Sequence, residues 1–238
     1  MPLKLATPLQ SPRGLGVLYP GAAYTQERPL CATTRDVMLA AGLEVFLSER
    51  YYGLDPALSA LSGEDREACL VADSGAYARA AFERAAGRPV VLAGKSLGTT
   101  AMAHALIQVP ELAAGLSVWL TPLWKDEMVF QAIAAAGARA YVLIGSADPQ
   151  WDAAILEALH KKAMRLAKSL PTVHVVDGAD HGMSVSRSAA ATAQVLVDLK
   201  PALAAFFAPV FPPPVVVSPP PVVVPAEPEP EIDPLFGP

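Results

Sequence analysis

Between residues 14 and 200 the chain alternates short, β-branched apolar runs with longer stretches rich in Ala and Leu. The apolar runs fall at 16–19, 45–47, 90–93, 116–120, 140–144 and 173–176. Most are continuous rather than alternating, the pattern of strands covered on both faces. Helices are predicted between them. The first spans 33–41, with Thr33 and Thr34 as caps, and the second spans 64–86, where Glu64 and Asp65 suit the positive end of a helix dipole. Others cover 97–108, ending before Pro110, then 126–136, ending at Gly137, and 151–169, ending before Pro171. A last helix covers 184–207, with Pro201 kinking or restarting it. Strand–helix alternation of this kind predicts an α/β fold: a doubly wound, mostly parallel sheet of about six strands with helices on both faces.

In such open sheets the ligand site lies beyond the C-terminal ends of the strands, so the residue after each strand is a site candidate. After 90–93 comes Gly94-Lys95-Ser96-Leu97-Gly98, leading into a helix. This G-x-S-x-G sits in the strand–turn–helix context of a nucleophile elbow, where a strained serine projects its hydroxyl and small neighbours let strand and helix pack closely. A phosphate-binding loop is excluded, because its first glycine would have to be Pro89 and the strand 90–92 would have to form the cradle. The residues 20–23 likewise do not supply G-x-G-x-x-G.

After 140–144 comes Gly145-Ser146-Ala147-Asp148, and after 173–176 comes Asp177-Gly178-Ala179-Asp180-His181-Gly182-Met183. A serine needs an imidazole to take its proton, and the imidazole needs an acid to fix its tautomer. Ser96, Asp148 and His181 are expected on one rim of the sheet. Of the other histidines, His104 falls in a helix, His160 beside Lys161 and Lys162, and His174 within a strand. Asp177 and Asp180 compete with Asp148 for the role of acid, but an acid so close to His181 in sequence rarely reaches its Nδ1 while the ring points at Ser96. Asp152 is placed to cap the next helix.

These motifs, over roughly residues 14–200, resemble the α/β-hydrolase superfamily, in which nucleophile, acid and histidine follow in that order. The similarity is greatest to small dienelactone-hydrolase-like and esterase members. The resemblance implies an oxyanion hole from the amides of Leu97 and Ala22, with Ala23 as second choice, although the usual His-Gly of that loop is Pro20-Gly21 here. It also implies a minimal cap or none, since only residues 121–125 precede the helix after the strand 116–120. Strands ahead of the core are missing or reduced to residues 2–10. The implied activity is hydrolysis of small carboxylic esters, or thioesters, through an acyl-enzyme on Ser96. His181 would be the general base and Asp148 its orienting acid, with no metal or organic cofactor. Tyr24, Trp124, Trp151 and Met183 neighbour the rim loops and as a group would line an apolar acyl pocket; singly, each reads as packing. Lys95 is expected beneath the site or in solvent.

Composition changes this picture in two places. Half of the 24 prolines lie in residues 209–238, a Pro/Val-rich segment that can neither continue a helix nor enter a central strand. The expected division is a hydrolase domain at 1–208 and an extended or disordered tail at 209–238, with a protein partner for the tail a possibility. A catalytically silent scaffold acting through that tail is the alternative function. The formal net charge of -5 gives no basic footprint for nucleic acid. The two cysteines, Cys31 and Cys69, have no metal-ligand spacing. No unbroken apolar run is long enough for a membrane span, and a cytoplasmic protein is the expectation.

Overall fold

The computed structural model describes residues 3–8, 11–186 and 188–212. Seven strands form one sheet: β1 (Leu3–Ala6), β2 (Gly14–Tyr19), β3 (Leu43–Ser48), β4 (Val90–Lys95), β5 (Leu116–Leu120), β6 (Ala140–Gly145) and β7 (Thr172–Val176). Their order is β1-β3-β2-β4-β5-β6-β7, with β1 antiparallel to β3 and all other pairs parallel. The helices are α1 (Pro29–Ala40), α2 (Pro56–Ser59), α3 (Gly63–Ala85), α4 (Leu97–Gln108), α5 (Glu127–Ala136), α6 (Ala153–Arg165) and α7 (Ala189–Phe207).

Strand alternation divides the core. Leu15, Val17 and Tyr19 of β2 pack with residues of α3 to α6, whereas Leu18 packs with residues of α1 and α7 on the other face. By composition α7 is long and apolar enough to span a bilayer, yet its Val195, Leu199, Leu203 and Phe207 are buried in this second core. The chain runs from β2 outward to β3 and then returns to β4 on the other side of β2. The strand order therefore reverses between β2 and β4, which opens a crevice at their C-terminal ends. The chain passes from β5 to α5 through residues 121–126, leaving no inserted cap.

The differences from the sequence expectation have local causes. The seventh strand, β1, is short and pairs only on one edge, so its apolar signal is weak. Helix α1 begins at Pro29, whose missing N–H costs nothing in the first turn. Thr33 and Thr34 are therefore inside it, and the Thr34 hydroxyl donates to the Leu30 carbonyl at 2.8 Å instead of capping. Helix α6 starts behind its cap Asp152, and α7 starts behind Ser188, five residues later than expected at 184. Helix α7 runs through Pro201 without ending. Packing continues past the expected boundary at Ala208: Phe211 is buried, and Arg13 Nη1 donates to the Pro212 carbonyl at 2.6 Å. The rest of the Pro/Val-rich segment, 213–238, lies outside the described residues.

Candidate active site

Ser96 joins β4 to α4 with φ 53° and ψ -119°, a left-handed conformation that costs energy for any residue but glycine. The surroundings enforce it. The Ser96 amide donates to the Leu120 carbonyl at 3.1 Å, and its own carbonyl accepts from the Thr99 amide at 2.8 Å. The Thr99 hydroxyl also donates to that carbonyl at 2.6 Å and accepts from the Leu123 amide at 3.2 Å, tying the elbow to the loop after β5. A Cβ at Gly98 would collide with the main-chain oxygens of Tyr19 and Pro20, so only glycine lets α4 start this close to the end of β2.

Asp148 and His181 come from neighbouring loops after β6 and β7. These loops are bonded to each other through the Ala147 amide and the Ala179 carbonyl at 3.0 Å, and a Cβ on Gly145 would strike that same Ala179 oxygen. Asp180 shapes the histidine loop, one carboxylate oxygen accepting from the amides of Gly182 at 2.7 Å and Ser184 at 2.9 Å. Asp177 is engaged elsewhere, accepting from the Ser146 hydroxyl at 3.0 Å. Of the three acids, Asp148 is the one whose carboxylate reaches the His181 ring. Asp148 Oδ2 lies 2.8 Å from His181 Nδ1, and Ser96 Oγ lies 2.8 Å from His181 Nε2.

The buried Asp148 carboxylate can only accept, so Nδ1 carries the hydrogen and Nε2 is left to accept from the Ser96 hydroxyl. The second Asp148 oxygen accepts from the Gln150 amide at 2.8 Å. An imidazole held in this way can take a proton from the serine as a bond forms at Oγ, and the fixed carboxylate stabilises the resulting imidazolium.

The turn at residues 21–24 is closed by reciprocal bonds between Gly21 and Tyr24, at 3.2 and 3.4 Å. The Ala22 carbonyl accepts from the Gly53 amide at 2.7 Å, which fixes the orientation of the turn. Neither the Ala22 nor the Leu97 amide has an acceptor among the described residues. The Leu97 amide, following Ser96, belongs to the first turn of α4, whose N–H groups have no intrahelical partner.

Lys95 is buried under this turn at 4% exposure, with its ammonium 4.7 Å from the Tyr24 ring centroid. Burial pulls its pKa below the ordinary lysine value, opposed by the charges of Asp148 and Asp180. The Tyr24 hydroxyl accepts from the Leu30 amide at 3.0 Å. Of the two places the sequence left open for Lys95, beneath the site or in solvent, the structure has the first. Its position, one residue before the elbow on the β4 face that carries Val91 and Ala93, was the available signal.

The four side chains expected to line an acyl pocket divide between the two sides of the sheet. Trp124 and Trp151 stack at 6.0 Å on the α3–α6 side, with Trp124 Nε1 donating to the Gln150 carbonyl at 2.6 Å. Tyr24 and Met183 pack on the α1–α7 side. Trp124 and Met183 are 1% and 2% exposed, so both are core side chains with little surface to offer a substrate. Adjacency to rim loops does not reveal which face a side chain enters. Of the other histidines, His174 is exposed on β7, and His104 has an unpartnered Nε2 within α4. Among the described residues no three His, Cys, Asp or Glu side chains gather as a metal site.

No family model and no curated protein matches the sequence. Solved structures do. An alpha-beta serine hydrolase homologue from Coxiella burnetii superposes with a TM-score of 0.61 at 17% identity, covering 85% of this chain and 89% of its own. XC6422 from Xanthomonas campestris, a serine hydrolase without a lid, gives 0.59 at 15% identity, covering 88% and 89%. Est1E from Butyrivibrio proteoclasticus, solved with ferulic acid, gives 0.62 at 12% identity, covering 88% and 94%. The architecture is the α/β-hydrolase fold.

Proposed function

We propose that this chain is a serine hydrolase that cleaves small carboxylic esters, or thioesters, through an acyl-enzyme on Ser96. The observation that carries this reading is the continuous hydrogen-bonded line from Ser96 through His181 to buried Asp148, at 2.8 Å for each link. It is supported by the strained elbow beneath Ser96 and by the likeness to serine hydrolases and esterases.

In the first half-reaction Ser96 Oγ attacks the ester carbonyl as His181 Nε2 takes its proton. The tetrahedral oxyanion receives the amides of Leu97 and Ala22, each such donor contributing about 3 kcal/mol to the barrier difference. The imidazolium then gives its proton to the departing alcohol as the C–O bond breaks. In the second half, His181 takes a proton from water, hydroxide adds to the acyl carbon, and the acid leaves as Ser96 recovers its hydrogen. The short connection at residues 121–126 leaves the rim open, which suits small substrates.

The test is hydrolysis of p-nitrophenyl acetate and butyrate by the purified full chain and by Ser96→Ala. Turnover by the wild type that is lost in the variant supports the reading. Equal rates from both proteins would remove it.

A further inference from the structure

A groove of about 790 Å³ crosses the base of the sheet, at the N-terminal ends of β4, β5 and β6 and so at the end opposite Ser96. Its walls are mostly apolar: Phe82 of α3, Leu112 and Leu116 at the entry to β5, and Phe206 and Val210 at the end of α7. Phe82 is 43% exposed and Val210 41%, and a contiguous apolar surface of this kind marks a place where something binds. A second apolar groove, of about 440 Å³, shares Leu112, Gly115 and Leu116 with the first and continues past Ile107 of α4 and Met128 of α5.

The chain itself supplies an occupant. Pro209 and Val210 belong to the groove wall, and Phe211 then turns inward, where a Cβ on Gly14 would strike its ring. Arg13 holds the Pro212 carbonyl, and the adjacent Pro12 carbonyl accepts from Nη1 of Arg88, a groove residue, at 3.4 Å. Residue 213 therefore starts beside the groove. Residues 213–226 hold six prolines, six valines in two triplets and no charged side chain. Acids return only at Glu227, Glu229, Glu231 and Asp233, which suit solvent.

Proline brings no N–H to be left unpaired against an apolar wall, and proline-rich segments seat on grooves with aromatic walls, as Phe82 and Phe206 provide here. Val215 follows Pro212 by three residues, and the triplets begin seven residues apart, about 22 Å in polyproline geometry. A tether this short holds the segment over the groove at an effective concentration of about millimolar, ahead of a second copy or a separate partner.

We propose that residues 213–225 dock back on the base of their own domain, with the triplet 215–217 in the first groove and the triplet 222–224 reaching the second. Docking removes apolar surface of both groove and segment from water and leaves the Ser96 rim open.

Photo-crosslinking of the full chain tests this. p-Benzoylphenylalanine replaces Phe82 in one protein and Ala114, another exposed wall residue, in a second; a third carries it at Leu54, which is 53% exposed beside the turn at residues 21–24. Melting curves accompany each protein, and either folded groove probe suffices. The expected product is a crosslink at monomer mass from the groove probe to residues 213–225, with a yield independent of protein concentration. It should be lost when Val215, Val216 and Val217 are all replaced by serine. A crosslink that survives those replacements undiminished overturns the proposal, because tethering alone would account for it. So does the absence of any product with residues 213–225 from the groove probes. A product only at dimer mass also overturns it and gives the groove to a second copy. Capture of the segment by the Leu54 probe instead would place it over the Ser96 rim and equally contradict the proposal.

Discussion

The Lys95 ammonium sits 4.7 Å from the centroid of the Tyr24 ring, and through that contact the residue before Ser96 grips the turn that carries Ala22. The Lys95 stem continues the grip: a Cβ on Gly21 would lie 3.3 Å from Lys95 Cδ. The turn at residues 21–24 is therefore held from below by a buried cation and from the side by the Gly53 amide. Lysine costs stability in this position, since desolvation disfavours its charged form.

Lys95→Met keeps the stem and removes the charge. The expected outcome is a kcat about tenfold lower, from a less fixed turn at residues 21–24 beside the proposed nucleophile, with KM changed much less. The same variant should melt about 2–4 °C higher, the shift for roughly 1 kcal/mol in a protein of this size. Because the folded-state pKa is depressed, the variant's advantage is full below the folded value and shrinks as pH rises through it toward the unfolded value. Steady-state kinetics and melting curves at pH 7 and pH 10 check both statements.

Asp148→Asn leaves a side chain of the same shape but removes the acceptor that fixes the Nδ1–H tautomer. A loss of about 10⁴ in kcat is expected, as in the serine-protease template from which that magnitude comes. His181→Ala should cost a similar or larger factor. The double variant should be little worse than the single ones, because the residues act as a unit. A multiplicative loss in the double variant would contradict the hydrogen-bonded chain.

Gly98→Ala tests the elbow's packing. The added methyl meets main-chain oxygens of Tyr19 and Pro20 rather than a movable side chain, so strand and helix must separate. Overpacking of this kind costs about 1–3 kcal/mol, measured by urea unfolding. Activity should fall by at least about 10²-fold, since a 1 Å displacement of reacting groups is enough for that.

Glu44 is buried beneath two guanidiniums, Arg84 Nη2 at 2.8 Å and Arg88 Nη2 at 2.6 Å. Desolvation alone would raise its carboxyl; the two arginines overrule it and hold the group below the ordinary glutamate value. With the folded value depressed, the stabilisation is present above the unfolded pKa and lost as pH falls through the folded one. Glu44→Gln should cost about 2 kcal/mol at pH 7, the scale of charged hydrogen bonds, and the gap to wild type should close in acid. Urea unfolding of both proteins at pH 7 and pH 3 measures it.

The inner strands were legible because burial on both faces writes them as continuous apolar runs, and 116–120 matches β5 residue for residue. Ser96, Asp148 and His181 were legible as a set because each follows a strand, and parallel strands deliver their C-terminal ends to one rim. Edge strand β1 was legible only as one of two alternatives, a reduced segment within residues 2–10 or no strand at all. The start of α1 was hidden because Pro29 reads as a breaker when it is in fact the first helical residue. Contacts between distant segments were not legible at all: the bond from Gly53 to Ala22, the cation over Tyr24 and the paired phenols of Tyr19 and Tyr77 all depend on how loops meet across the sheet. The core that each side chain near the rim loops enters was hidden for the same reason: Trp124 and Met183 face opposite cores.

The central claim is that Ser96 is an activated nucleophile. Labelling of the full chain with a fluorophosphonate, read by intact mass and peptide mapping, tests it without knowledge of the substrate. The account predicts one adduct per chain, on Ser96, absent from Ser96→Ala and strongly slowed in His181→Ala. A folded wild type that takes no label, or a label that persists in Ser96→Ala, would contradict it.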